Sequence, residues 1–139
     1  MAIRRIRDVI RRDEIYQLSQ QDTVRSAADL MKARKCGSVL ITAGDVLIGI
    51  FTERDVVFRV VAEGHDPNQT RLGAVMTANP VTVGPQEPAI SALRLMEDSG
   101  FRHLPVVEEG RILGVVSRRD FAGEDKARLE DERRIWEKV

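Results

Sequence analysis

The stretch Gly49-Ile50-Phe51-Thr52-Glu53-Arg54-Asp55 decides the fold, because the chain writes it again as Gly114-Val115-Val116-Ser117-Arg118-Arg119-Asp120. Each copy is a Gly, two apolar β-formers, a hydroxyl residue, two further residues and an Asp. The copies lie 65 positions apart (114 − 49). At that offset residues 15–55 fall on 80–120 without a gap, and eight positions are identical: Gln21/Gln86, Ser26/Ser91, Ala27/Ala92, Leu30/Leu95, Met31/Met96, Gly49/Gly114, Arg54/Arg119 and Asp55/Asp120. Apolar positions agree as well, as in Val39/Leu104, Ile41/Val106 and Ile48/Leu113. A shift of 66 extends the match upstream, laying Ile6, Val9 and Ile10 on Leu72, Val75 and Met76. The chain is therefore one supersecondary unit used twice, and every other assignment follows from that.

Working outward, Ile6, Val9 and Ile10 have the i, i+3, i+4 spacing of a short helix with one buried stripe. Arginines 4, 5, 7, 11 and 12 surround it, either as a solvated basic face or with Arg11 or Arg12 as a phosphate contact. Residues 15–18 read as a short strand. Asp22-Thr23 offers an N-cap to a helix running to about residue 34, which Gly37 is expected to stop. Residues 38–42 are nearly all apolar and β-branched, a strand buried on both faces, and 46–51 should pair with it as a hairpin. At Thr52 the pattern turns helical through about Ala62. The second copy predicts a helix over 71–76, a strand over 80–83, a helix over 88–98 with Pro88 at its first helical position, strands at 103–107 and 111–116, and a helix from Ser117. Polar, turn-rich residues 63–70 separate repeat 3–62 from repeat 71–122. Residues 123–139 read as a final helix with a sparse apolar stripe of Leu129, Ile135 and Trp136, docked on its own core or on a partner.

A single unit of about 60 residues would be marginal, whereas about 150 residues bury roughly 68–70% of their unfolded surface. Two repeats sharing one core is thus the favoured arrangement for 139 residues. Twenty-two basic and 22 acidic residues cancel, which argues against a nucleic-acid or anionic-membrane partner. The lone Cys36 forms no internal disulfide and fits a reducing, cytoplasmic setting. No apolar run reaches the roughly 18 residues of a membrane span, and the Arg-rich start does not read as a signal peptide.

Enzyme signatures are missing. The two histidines and one cysteine form no metal-ligand spacing, neither phosphate-loop glycine pattern is present, and no carboxylate pair stands apart from surface charge. No catalytic residue, metal or catalytic cofactor is assigned. The informative residues are Thr52-x-x-Asp55 and Ser117-x-x-Asp120. One reading needs no ligand: hydroxyl-x-x-acid at a strand-to-helix junction is a capping box. The other uses the same corner as a binding site. A helix N-terminus offers unpaired N–H groups and partial positive charge to a phosphate, Arg54, Arg118 and Arg119 add charge-assisted bonds, and the Asp can accept both hydroxyls of a ribose.

These features together resemble a tandem pair of cystathionine-β-synthase (CBS) domains, the Bateman module. The likeness covers residues 3–121. It rests on the order of elements, the doubled Gly-x-φ-Ser/Thr-x-x-Asp motif (φ apolar), Val75-Met76-Thr77-x-x-Pro80-Val81-Thr82-Val83, and Arg102-His103-Leu104-Pro105-Val106-Val107. The resemblance implies an α+β fold: two β-α-β-β-α repeats, related by a pseudo-twofold axis and packed through their sheets, with the C-terminal helix added. It implies clefts between the repeats that take AMP, ADP, ATP, S-adenosylmethionine or NAD. One cleft would use Thr52, Arg54 and Asp55 with a base pocket of Thr77, Asn79, Pro80 and Val81, and Phe101 nearby. The other would use Ser117, Arg118, Arg119 and Asp120 with Ile15, Tyr16, Cys36 and Gly37 at the base. Arg102 and His103 match phosphate-binding positions, though His103 serves equally as a hydrogen-bonded strand residue.

The copies also depart from each other. Thr77 is matched upstream by Arg11, and Arg102-His103 by the uncharged Gly37-Ser38. The clefts should therefore differ, with the Thr52/Asp55 cleft the better candidate for occupation. The expected function is a non-catalytic adenine-nucleotide sensor that reports to a protein partner of unknown identity. Homodimers are common in the family, and the bare length suggests self-association here. The alternative is a structural interaction or dimerisation module with no small-molecule ligand.

Overall fold

The computed structural model describes residues 4–10, 15–121, 130–131 and 134–135. The α+β chain divides into two compact units, residues 15–80 and residues 1–14 with 81–139. Trp136, Leu129, Arg11 and Arg12 lie outside the described residues. Of the expected C-terminal helix, residues 130, 131, 134 and 135 are described as helical, with Arg134 paired to Glu130 one turn earlier.

Unit 15–80 is a four-stranded sheet carrying helices. Strand β1 (Gln17–Leu18) pairs in parallel with β2 (Ser38–Ala43). Strand β3 (Val46–Thr52) returns antiparallel to β2, and β4 (Thr77–Ala78) closes the order β1-β2-β3-β4. Helix α2 (Val24–Arg34) links β1 to β2. Its N-cap is Thr23, whose hydroxyl accepts from the Ser26 amide. Asp22 instead accepts from the Ser19 amide in the preceding turn. Helix α2 ends at Lys35, left-handed at φ 53°, two residues before the expected stop at Gly37.

The other unit repeats this plan at the same offset. Helix α5 (Ala89–Ser99) corresponds to α2, with Pro88 as its N-cap and Gly100 (φ 77°) where α2 has Lys35. Strands β5 (His103–Glu108) and β6 (Arg111–Ser117) pair antiparallel. Residue by residue their register matches that of β2 and β3. Ser38 faces Thr52 as His103 faces Ser117, and the register shift after Ile41 recurs after Val106. The parallel neighbour shrinks from β1 to one bridge, Val83 to Val106. The expected strand over 80–83 therefore barely forms. The β-pairing of this segment falls earlier, on β4, because Pro80 has no amide to donate and Asn79 turns the chain at φ 49°.

The opening helices settle where each core closes. Helix α1 (Ile6–Val9) packs in the unit of the second repeat, and α4 (Leu72–Val75) in that of the first. They are held alike. Leu72 N–H donates to Asp22 O (2.8 Å) as Ile6 N–H does to Glu87 O (2.9 Å), and Gly73 and Arg7 donate to Gln20 and Pro85. The Arg71 guanidinium donates to Gln21 O, and that of Arg5 to Gln86 O. A Cβ at Gly73 would sit 3.1 Å from the Gln20 side chain, so close approach of α4 uses a glycine.

Within each of the two units a set of buried residues forms a cluster. Val24, Ala27, Met31, Val39, Ile41, Phe51, Val60, Leu72 and Val75 make one. Ile6, Val9, Val83, Ala89, Ala92, Leu93, Met96, Leu104, Val106, Val116 and Phe121 lead the other. Each unit takes in the helix that precedes the other copy of the repeat.

After β3 and β6 the copies diverge. The first continues as a helical turn, α3 (Glu53–Asp55), which widens into a π-helix over Val56–Val61 with the Ala62 amide bonded to Val57 O. This keeps Val60 fully buried and leaves Val57, Phe58 and Val61 exposed. The second makes only a 3₁₀ turn over Arg118–Asp120, and Phe121 is already extended, so the helix expected from Ser117 does not begin there. Among the described residues no helix is long and apolar enough to cross a membrane.

Candidate functional site

Both corners are capping boxes. The Thr52 amide donates to Asp55 Oδ2 (2.9 Å), the Thr52 hydroxyl to the same oxygen (3.1 Å), and the Asp55 amide to Thr52 Oγ1 (3.3 Å). The Ser117 amide donates to Asp120 Oδ2 (2.8 Å) in the matching box. The ligand-free reading of the motif is thus realised at both corners, and any binding role is superimposed on it. Asp55 is buried at 8% exposure, unusual for a carboxylate, while Asp120 is half-buried.

The free amides expected at a helix start are mostly taken. The Glu53 amide donates to Gly37 O (3.1 Å), and the Arg118 amide to Arg102 O (2.9 Å). With the Asp55 amide also used, a phosphate at the first corner must rely chiefly on side chains. At the second corner a three-residue 3₁₀ turn supplies little dipole, so charge rests on Arg102, Arg118 and Arg119, all exposed. Arg118 is ion-paired to Glu97 at 3.1 Å.

Unit 15–80 brings several assigned residues together. Strand pairing sets Thr77 opposite Ile50, two residues before Thr52, and the Asn79 amide donates to Ile48 O (3.1 Å). This approach requires Gly49, since a Cβ there would overlap Met76 Sδ and lie 3.1 Å from Thr77 O. Ile15, Tyr16, Cys36 and Gly37 belong to the same unit, with the Tyr16 carbonyl accepting from the Leu40 amide. Val81, Phe101, Arg102, His103, Ser117, Arg118, Arg119 and Asp120 belong to the other unit, where Arg102 and His103 flank the Ser117–Arg118 junction.

Three residues at these places are absent from the sequence assignment. Arg59 Nε lies 3.5 Å from Asp55 Oδ1, and its Nη1 donates to Met76 O (2.9 Å). Its signal is the i, i+4 spacing from Asp55. Phe58 lies under the Arg54 guanidinium, 5.3 Å from carbon to ring centroid, so Arg54 is not simply extended into solvent. Arg34 similarly stands 5.8 Å over Tyr16. Among the described residues no cluster of His, Cys, Asp or Glu could hold a metal ion.

The structure is one α+β unit used twice, with an acid-capped strand-to-turn corner in each copy. The family model for the CBS domain matches residues 6–62 and 72–126, and the chain belongs to that family. CBS-domain proteins are generally non-catalytic regulatory modules. A CBS domain-containing protein of Arabidopsis thaliana, CBSCBSPB2, is 39% identical over 108 residues, which are 77% of this chain but 20% of that protein. The chain thus spans about a fifth of the length of such relatives. A solved CBS-domain protein from Agrobacterium tumefaciens is 32% identical with a TM-score of 0.78, covering 90% of this chain and 99% of that one. Another, from Pyrobaculum aerophilum and complexed with AMP, is 25% identical with a TM-score of 0.80, covering 91% and 98%.

Proposed function

We propose that the chain is a non-catalytic regulatory module that binds an adenine nucleotide (AMP, ADP, ATP or NAD) and signals nucleotide state to a protein partner. The observation that carries this is the buried Asp55 carboxylate, held by Thr52 at the end of β3, the strand that Thr77 and the Asn79 amide pair with. A buried acceptor of fixed orientation suits a ribose diol. The AMP bound by the Pyrobaculum relative supports the ligand class. Ribose would engage Asp55 and Thr52, the base would lie against Thr77, Asn79, Pro80 and Val81, and arginines would meet the phosphate. The Ser117/Asp120 cleft, richer in arginine, is the second and differently selective site. Sensing follows if affinity differs between two conformations of the protein. We place the protein in the cytoplasm as a homodimer, with the exposed Val57, Phe58 and Val61 as the face that meets the second copy.

Thermal unfolding with AMP, ATP and NAD tests the reading. A ligand at about 100 times its dissociation constant adds about 2.7 kcal/mol of stability. No shift with any of the three rejects it. A tight dimer that ignores all three ligands would favour the second reading, an interaction module, for which the same apolar face is the supporting observation.

A further inference from the structure

We propose that Arg59 is a positioning residue for ribose recognition, orienting the Asp55 carboxylate and tying it to the end of α4 from which Thr77 leads off. This rests on the nucleotide reading above and names the device that makes the first corner selective.

A carboxylate has two oxygens and about four acceptor positions. Asp55 Oδ2 already takes the Thr52 amide at 2.9 Å and the Thr52 hydroxyl at 3.1 Å. A diol must therefore be met mainly at Oδ1. That oxygen is the one 3.5 Å from Arg59 Nε. The same guanidinium turns Nη1 to Met76 O (2.9 Å) and Val75 O (3.4 Å), carbonyls at the end of α4 where helical partners run out and a cation is favoured. Met76 is the residue before Thr77. One planar group thus joins the acid that would hold the sugar to the peptide that sets the candidate base pocket. Because its donors are fixed relative to one another, a turn of the carboxylate and a shift of β4 are linked through it. Arg59 is 49% exposed, so its worth as a plain ion pair is small, and its value lies in geometry. At the same offset in the second copy the sequence carries Glu124 instead of an arginine.

Isothermal titration of the full chain with AMP and with 2′-deoxy-AMP reads it directly. The unaltered chain is expected to prefer AMP by about tenfold or more, the worth of a hydroxyl bonded to a charged acceptor. In Arg59→Gln the cap at Oδ2 survives but Oδ1 loses its orienting partner, so the preference should fall to about threefold or less. Arg59→Lys keeps the charge without the fork and should fall between. A merely structural role would weaken both ligands equally and leave the ratio intact. Arg59→Gln with an undiminished preference overturns the proposal. Should that variant fail to fold, Arg59→Lys decides, and a preference equal to that of the unaltered chain overturns it. If the unaltered chain binds both ligands alike, the proposal fails while the nucleotide reading stands. If it binds neither, the nucleotide reading fails and takes the proposal with it.

Discussion

The Thr52–Asp55 corner and the Ser117–Asp120 corner begin as one sequence pattern and become different chemistry. Both acids cap their own turn through Oδ2. In the first, the acid is buried, backed by Arg59, and followed by a continuing helical segment. In the second, the acid is half-buried, the turn stops at Phe121, Arg118 pairs with Glu97, and Arg102 and Arg119 are exposed. The hairpin beneath each corner is the same to the residue, since the two share one register. Duplication has kept the part that places a corner and varied the corner itself. The first corner holds its acid buried and ion-paired to Arg59, while the second leaves Asp120 half-buried in a turn whose Arg118 and Arg119 are exposed.

If the scaffolds are equivalent, matching core truncations should cost the same. Ile6 and Leu72 are each 0% exposed and occupy matching places on α1 and α4. Ile6→Ala and Leu72→Ala should each destabilise by about 2–5 kcal/mol, read from urea unfolding. This is the largest expected effect. A loss at Leu72 with none at Ile6 would break the comparison, because α1 would then not complete its cluster.

That equivalence was legible in part. The 65-residue offset gives the hairpins, their register and the helices α2 and α5, because apolar spacing and the repeated Gly and Asp recur in step. The capping boxes were legible from hydroxyl-x-x-acid alone. The exchange of α1 and α4 was not. Periodicity shows that Ile6 and Leu72 need a core, but nothing local says which one, and chain adjacency suggests the wrong neighbour. The left-handed Lys35 carries no propensity signal, because its conformation is imposed by the turn into β2. Arg59 was within reach of an i, i+4 reading, yet in a sequence with 22 basic residues its spacing does not set it apart.

The corners themselves should separate under mutation. Asp55→Ala removes two acceptor contacts to Thr52 and strands Arg59, so about 1–3 kcal/mol of stability should go. Asp120→Ala should cost about 1 kcal/mol, the usual worth of a cap on a more exposed turn. Thermal unfolding of the two variants checks the ranking. Equal losses would mean that burial of Asp55 adds nothing to its cap, and the claimed difference between the corners would disappear.

The smallest effect tests the symmetry where it is most exposed. Arg71 and Arg5 each send Nη1 to a backbone carbonyl, of Gln21 and Gln86, and these glutamines are themselves a matched pair of the repeat. A charged donor on a neutral carbonyl stabilises by about 1 kcal/mol or less when water competes. Arg5→Ala and Arg71→Ala should therefore each cost about 0.5–1 kcal/mol in urea unfolding. The pins belong to separate units, so the double variant should show the sum within about 0.5 kcal/mol. A double variant that loses much more than the sum would mean that the two exchanged helices are coupled, each needing the other in place before its own pin holds. Additive losses would mean that α1 and α4 dock independently, and that the repeat behaves as two copies of one local rule.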